Sequence, residues 1–302
     1  MSLLKAERLV KSFNGQKVLD DLELTIEEGS CTALLGPNGA GKTTTLNILT
    51  GLLEKDGGRI TFKGQEGGDF RSAVGYLPQY PAFYPWMTGK EFLQYAAELC
   101  GIPKREAQEK SSYYLEMFGL ADAGAKKTAS YSGGMKQRLG LAQAIIHDPK
   151  LLIMDEPVSS LDPIGRYEVL DLIRKLKKKT TILFSTHILH DAEEVSDDVY
   201  IIAGGKNVLS GPLHELRRSQ REPVIVIESA DDLNELVASW EKRNWAGETN
   251  YHEGKARLVV SDVSAAQKEI LEDIAATGKS LQKFEAGQTT LEDVFLKMVT
   301  GK

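Results

Sequence analysis

Gly36-Pro37-Asn38-Gly39-Ala40-Gly41-Lys42-Thr43-Thr44 is the stretch that decides the fold, and the apolar run Thr32-Ala33-Leu34-Leu35 leads into it. Strand character before it, and Leu46, Ile48 and Leu49 on an apolar helix after it, make it a strand-to-helix turn. A glycine-rich turn of this kind lets backbone N–H groups converge on phosphate oxygens. A helix beginning near Gly41 adds its positive N-terminal end at the same point. Lys42 then supplies a point charge for a β- and a γ-phosphate, and the Thr43 hydroxyl is placed to bind the Mg²⁺ that bridges them. The chemistry implied is that of a nucleoside polyphosphate. A loop that merely turns has no need of this spacing between a strand and an apolar helix.

The 302 residues are long enough for a substantial core and for about two domains. With 41% apolar and 26% charged residues the chain has an ordinary globular composition. A net charge of -6 supplies no global basic field, so no nucleic-acid partner is expected. Two cysteines, Cys31 and Cys100, are too few for a disulfide framework and suit a reducing cytoplasm. No apolar stretch approaches the roughly 18 residues of a membrane span, and the start from Met1 to Glu7 lacks a signal-peptide core. Any membrane role is expected through a partner.

From Leu3 to Ile26 the pattern predicts short strands with Asn14-Gly15 as a hairpin turn, an antiparallel edge on an α/β core. Phe13, at the hairpin mouth, is either a base-stacking aromatic or a core residue, and Val18 stands on the returning arm. Strands are expected over Arg59–Lys63 and Ser72–Leu77. Gln79 then opens a segment dense in aromatics (Tyr80, Phe83, Tyr84, Trp86), either a local cluster or a partner surface. Thr88 and Glu91 form a capping box, and Phe92, Leu93, Ala96 and Leu99 share a helical face. With a second helix over Lys104–Phe118, the block from about 88 to 148 reads as a mostly helical insertion.

Inside it, Tyr131-Ser132-Gly133-Gly134-Met135 precedes a helix that carries Leu139, Ala142 and Ile146 and stops at Pro149. The Ser-Gly-Gly is a second anion nest or an ordinary N-cap. Leu151–Met154 is a buried parallel strand ending in Asp155-Glu156. Ligands bind beyond the carboxyl ends of such strands, so Asp155 is a candidate for the metal shell and Glu156 for the general base. The competing reading is a merely solubilising acidic pair. Asp162 caps a helix with Pro163 first, and Lys177 to Lys179 read as its solvated end. Thr181–Phe184 is another strand, finishing in Ser185-Thr186-His187; the histidine is a surface hydrogen-bonder or a group reaching the γ-phosphate. A helix from Ile188 and a hairpin at Gly204-Gly205 come next.

In these ordered motifs the chain resembles the nucleotide-binding subunits of ATP-binding cassette (ABC) transporters over about residues 3–219. The resemblance implies ATP and Mg²⁺ as ligands. It makes Phe13 the adenine-stacking position, where the family more often has tyrosine, with Val18 beside it, and Gly36 to Thr44 the Walker A loop. Gln79 corresponds to the glutamine that senses Mg²⁺ and the membrane subunit, and Ser132 to Gly134 to the signature. Asp155 and Glu156 correspond to Walker B and the catalytic base, Ser159 to Asp162 to the D-loop, and His187 to the switch histidine. Thr43, Gln79 and Asp155 would surround the metal; Glu156, His187 and Gln79 would act in hydrolysis. The family implies a head-to-tail dimer, with itself or a similar subunit, in which one chain's signature closes on the other's ATP. It also implies that transmembrane permease subunits are separate chains and that the protein would sit peripherally on the cytoplasmic face of the membrane. The commonest signature is L-S-G-G-Q, whereas here Tyr131 replaces the leucine and Met135 the glutamine. That variant resembles exporter-type systems.

Arg217 to Pro223 reads as a charged linker, dividing an ATP-binding domain (1–219) from an accessory domain (220–302). The latter shows strand, helix, weak strand near Trp245, strand, helix, strand, the order of a small ferredoxin-like sheet, then a last helix from Thr290 with Asp293 as its cap. The fold expected is therefore α/β: a P-loop NTPase core with an antiparallel β edge and a helical insertion, plus a small C-terminal α+β domain. Two rival functions stay open. A soluble ABC ATPase acting on DNA or ribosomes would carry a long coiled coil or a second cassette; a regulator without turnover would not need Lys42, Glu156 and His187 together. The transported substrate is not written in this chain, because membrane subunits form its path.

Overall fold

Asn14 and Gly15, both with positive φ (50° and 82°), make the turn that reverses β1 (Ser2–Phe13) into β2 (Gln16–Glu27). The computed structural model describes all residues except 67–68, 160, 220–221, 289–291, 293–294 and 296–302. β3 (Cys31–Leu35) enters the glycine-rich loop and α1 (Lys42–Leu49) leaves it. β4 (Gly57–Phe62) and β5 (Gln65–Glu66) join the hairpin in an antiparallel sheet of order β2-β1-β4-β5. The antiparallel strands thus form a sheet of their own, and β1 and β2 are twelve residues each, longer than the sequence pattern implies.

β6 (Val74–Leu77) runs into the aromatic segment, and α2 (Gly89–Leu99), α3 (Lys104–Met117) and α4 (Gly133–Ile145) make up the helical insertion. The Thr88–Glu91 capping box is present in full. Leu99, expected on the buried face of α2, is 69% exposed, and Ala97 is buried instead. Leu99 lies in the last turn, two turns beyond Phe92, where the helix has run past its cover. β7 (Leu151–Met154), α5 (Pro163–Leu176), β8 (Thr181–Thr186), α6 (Leu189–Val195), β9 (Asp198–Ala203) and β10 (Lys206–Pro212) complete the second sheet, of order β10-β9-β3-β8-β7-β6. Its five strands from β9 to β6 are parallel and β10 is antiparallel. β3, β7 and β8 are buried at every residue, which is why they read as continuous apolar runs.

Aliphatic side chains from the two sheets meet in one core, among them Leu4, Leu9, Leu22 and Leu24 from one and Leu34, Leu151, Ile153 and Leu183 from the other. The Tyr200 hydroxyl closes the seam, donating to the Thr25 carbonyl and accepting from its N–H. Parallel register sets Leu35 beside Thr186, and Met154 beside both Phe184 and Leu77. The loops after β3, β6, β7 and β8 therefore leave from one edge, bringing Gly36, Gln79, Asp155 and His187 to the same end of the sheet. The lysines at the end of α5 are not simply solvated: Lys177 pairs with Asp197, and Lys179 lies over the Tyr113 ring.

The chain divides into two compact units, Met1–Leu213 and His214–Lys302. α7 (Leu213–Ser219) stands at the division and takes in Arg217 and Arg218, which the sequence pattern assigns to a linker. Leu213 and Leu216, both buried, and acidic and basic groups at the matching helix ends explain why it is helical. The second unit contains β11 (Pro223–Glu228), α8 (Asn234–Trp240), β12 (Ala246–His252), β13 (Lys255–Val260), α9 (Val263–Thr277) and β14 (Lys283–Gln288). Its antiparallel order, β12-β13-β11-β14, is that of a split βαβ sheet. Trp240 and Trp245 are buried among Ile225, Ile227, Leu258 and Ile270, with their indole N–H groups donating to Asp273 and Glu269.

Two boundaries here differ from the sequence pattern. α8 starts at Asn234 because Asp231 and Asp232 are engaged elsewhere, accepting from Ser280 and from Asn234 N–H and Tyr251. That capture holds Ser280 outside the ladder, so β14 begins only where Lys283 meets Glu228. The final helix with Thr290 and Asp293 lies outside the described residues, as does Ser160 within the Ser159–Asp162 loop.

Candidate nucleotide site

Gly41 has φ +103°, and a Cβ there would stand 2.6 Å from Leu19 Cδ2 and 3.0 Å from the Val18 carbonyl. Both the backbone conformation and the close approach of β2 exclude any other residue. The same approach places Val18, half-buried, beside the loop, with Phe13 exposed at the hairpin mouth and the Lys11 ammonium 5.5 Å from its ring centroid. Gly36 is held as tightly, since a Cβ would meet the Ile202 carbonyl at 2.4 Å. Between them Pro37 is half-buried, Asn38 and Gly39 are exposed and Ala40 is buried. The Thr45 hydroxyl donates to Gly41 O at 2.9 Å, while Thr43 is exposed and Thr44 half-exposed at the head of α1.

Lys42 is only 6% exposed. Its ammonium donates to the carbonyls of Gly36 (2.8 Å) and Pro37 (3.2 Å) and lies 3.2 Å from Glu156 Oε1. The other Glu156 oxygen is 2.7 Å from His187 Nδ1. A lysine, a carboxylate and a histidine from three loops thus form one contact chain. Ser185 supports it from below: its hydroxyl donates to Asp155 Oδ1 at 2.5 Å and accepts from Glu156 N–H at 2.9 Å. Glu156 takes the left-handed backbone conformation (φ +48°), unusual for a side chain of this size. Asp155 is buried, and its charge adds to burial in pushing the Tyr76 hydroxyl up to about 12, so Tyr76 stays protonated and donates to Asn47. Thr43, Gln79 and Asp155 supply a hydroxyl, an amide and a carboxylate, the oxygen donors a small hard cation takes.

His187 projects from the end of β8, and the helix after it is anchored to α5. Asp191, buried at the start of α6, accepts from Arg166 Nε on α5 at 2.7 Å. Burial raises its carboxyl above the ordinary range, with Arg166 opposing. Ser132 caps α4, accepting from Met135 N–H at 3.3 Å. Among the described residues, Ser132, Gly133 and Gly134 make no hydrogen bond or ion pair with the Lys42–Glu156–His187 group. A Cβ on Gly133 or Gly134 would touch nothing within 4 Å. Two glycines in a helix's first turn cost stability, and among the described residues no neighbour requires them.

Sequence reasoning passes over Ser185 and the Asp191–Arg166 pair. The available signal for Ser185 is a small polar residue at the end of an otherwise apolar buried strand; the Arg166 pairing depends on the packing of α5 on α6 and has no local signature. Ser185→Ala is expected to leave the Glu156 N–H and one Asp155 oxygen without their partner, costing about 1–3 kcal/mol. Thermal unfolding of the purified variant measures this.

Residues 19–159 match the family described as ABC transporter, and residues 211–299 match the C-terminal domain of ATP-binding proteins like DrrA1-3. The chain is similar to the ABC transporter ATP-binding protein YxlF of Bacillus subtilis, 46% identical over 98% of this chain and 99% of that protein. It is 33% identical to the bacitracin transport ATP-binding protein BcrA of Bacillus licheniformis, over 99% and 98% of the two chains. Among solved structures, an ATP-binding subunit of an ABC transporter superposes with a TM-score of 0.65 at 34% identity, covering 72% of this chain and 92% of that one.

Proposed function

The chain belongs to the ATP-binding subunits of ABC transporters, and from that premise we propose that its Lys42–Glu156–His187 group is the hydrolytic centre. The protein is the ATP-binding and ATP-hydrolysing subunit of an exporter-type system, coupling nucleotide to transport through partner permease subunits. The observation that carries the site reading is that Glu156 bridges Lys42 and His187 at the edge where four strand-end loops converge.

The loop's N–H groups and Lys42 bind the β- and γ-phosphates. Lys42 has only neutral carbonyls and one carboxylate to leave, and phosphate oxygens carry more charge. Its transfer to phosphate frees Glu156 Oε1 to accept a proton from the attacking water. His187, exposed and in contact with Glu156, would stand at the γ-phosphate end. Phe13 and Val18 receive the base. Thr43, Asp155 and Gln79 would hold Mg²⁺, which would supply neutralisation of phosphate charge. Phosphate release from MgATP by the purified chain tests this reading; binding without release would favour a regulator that does not turn over.

The two signature glycines support closure on ATP held by a second, similar chain, since among the described residues nothing lies within 4 Å of a Cβ built on either. The aromatic segment supports docking of the permease. Trp86 is 64% exposed and tilts against Tyr84, which also meets Tyr95, while Phe83 packs edge-on to Phe92. Of the four aromatics only Phe83 is half-buried; Tyr80, Tyr84 and Trp86 are exposed. Replacing Tyr84 and Trp86 with serine is expected to abolish coupled transport in a reconstituted system while basal ATPase activity persists; loss of both would return the pair to the core. No helix among the described residues is long and apolar enough to cross a membrane, and a peripheral place on the cytoplasmic face follows from the proposed docking.

A further inference from the structure

Tyr131, which stands where the commonest signature has leucine, is almost wholly buried, and its hydroxyl donates to the Ala123 carbonyl at 2.7 Å. Across the ring lies Gly89, the first residue of α2. A Cβ at Gly89 would stand 2.1 Å from the Tyr131 hydroxyl oxygen, 3.0 Å from Cζ and 3.5 Å from Cε2. Gly89 does not have positive φ, so the ring, rather than the backbone, demands glycine there.

The contact belongs to a longer seam. Gly89 N–H donates to Lys126 O at 3.2 Å and Lys90 N–H to Gly124 O at 2.9 Å. Thr128 N–H donates to Met87 O at 2.9 Å, and its hydroxyl donates to Tyr84 O at 2.7 Å. Thr88 and Lys127 form a bridge, and Tyr131 N–H returns to Thr128 O. The aromatic segment 84–90 and the lead-in 123–131 are therefore stitched together along their length. The next residue after the seam is Ser132, the cap of α4.

We propose that Tyr131 is a positioning residue for Ser132: its ring, held between Gly89 and the Ala123 carbonyl, sets where the start of α4 stands and passes displacements of the 84–90 segment to it. The inference rests on the reading that Ser132 to Gly134 acts on ATP held by a second chain. Buried rings in a packed site shift as units, so a methyl group at Gly89 moves Tyr131 and Ser132 together.

The test is a cycle of Gly89→Ala, Tyr131→Phe and the double variant, read by kcat for MgATP hydrolysis, MgATP affinity and thermal midpoint. Gly89→Ala is expected to lower kcat by at least about tenfold. MgATP affinity should hold, because Lys42 and its loop are untouched. Tyr131→Phe removes the oxygen at 2.1 Å and leaves only ring carbons at 3.0 Å and beyond. The double variant should therefore recover to the rate of Tyr131→Phe alone. A neutral Gly89→Ala overturns the proposal, and so does a loss that Tyr131→Phe does not relieve. A fall in midpoint and MgATP affinity together with kcat would make the contact structural only and would also count against it. Nucleotide-dependent dimerisation of Glu156→Gln reports separately on the signature reading, so the two can fail independently.

Discussion

Glu156→Gln is expected to stop ATP hydrolysis, by about 10²–10⁴-fold if the carboxylate is the general base, while MgATP binding continues. The amide is isosteric and can still accept from Lys42 through its oxygen, but it cannot take the proton of the attacking water. Removing the negative charge beside Lys42 also leaves the ammonium freer to turn to phosphate, so affinity should hold or rise. With turnover stopped, bound nucleotide persists between the Lys42 loop of one chain and Ser132 to Gly134 of another, and the variant should accumulate as an ATP-dependent dimer. Light scattering with and without MgATP measures it. Adding Gly133→Asp should dissolve the dimer. A Cβ at Gly133 meets nothing within 4 Å among the described residues, so the added carboxylate should be tolerated by the monomer and act where a phosphate would approach. Full turnover by Glu156→Gln would remove Glu156 from the mechanism; a monomer at high concentration with bound MgATP would count against closure by this subunit alone.

Lys42→Ala is expected to weaken MgATP binding by about tenfold to a few hundredfold, the loss of charge-assisted hydrogen bonds to the β- and γ-phosphates. Calorimetry measures it, and unchanged affinity would refute the loop assignment. The lysine bears on folding as well as on binding. Lys42 is buried beside a buried Glu156, and truncating it leaves that carboxylate with His187 as its remaining partner. A drop in stability of up to about 3 kcal/mol should accompany the lost affinity. The double variant Lys42→Ala/Glu156→Gln separates the two effects, because it removes the stranded charge and should recover most of the melting temperature without recovering MgATP affinity.

The phosphate loop, the strands around it and the capping box at Thr88 were legible because each is a local pattern. Spacing of Gly, Lys and Thr sets backbone chemistry within a few residues, and apolar runs announce strands buried on both faces. The C-terminal unit was legible in its order of elements for the same reason, although Asp231 and Ser280, forty-nine residues apart, shifted two boundaries by hydrogen-bonding each other. Leu99 misled because helical period says which residues share a face, but not how far a neighbour covers it, and Arg217 because a charged stretch reads as linker until the burial of Leu213 and Leu216 is seen.

By itself, then, the sequence determined that a glycine-rich loop lies between a strand and a helix, that an acidic pair and a histidine end two further strands, and that a second α+β unit comes after them. Only tertiary structure decided that Glu156 touches Lys42 on one side and His187 on the other, that Ser185 holds both acids, and that Tyr131 requires glycine at position 89. The physical reason is range. Backbone dihedrals, caps and apolar period act over one to four residues, whereas ion pairs and close contacts join residues brought side by side by parallel strand register and crossover packing.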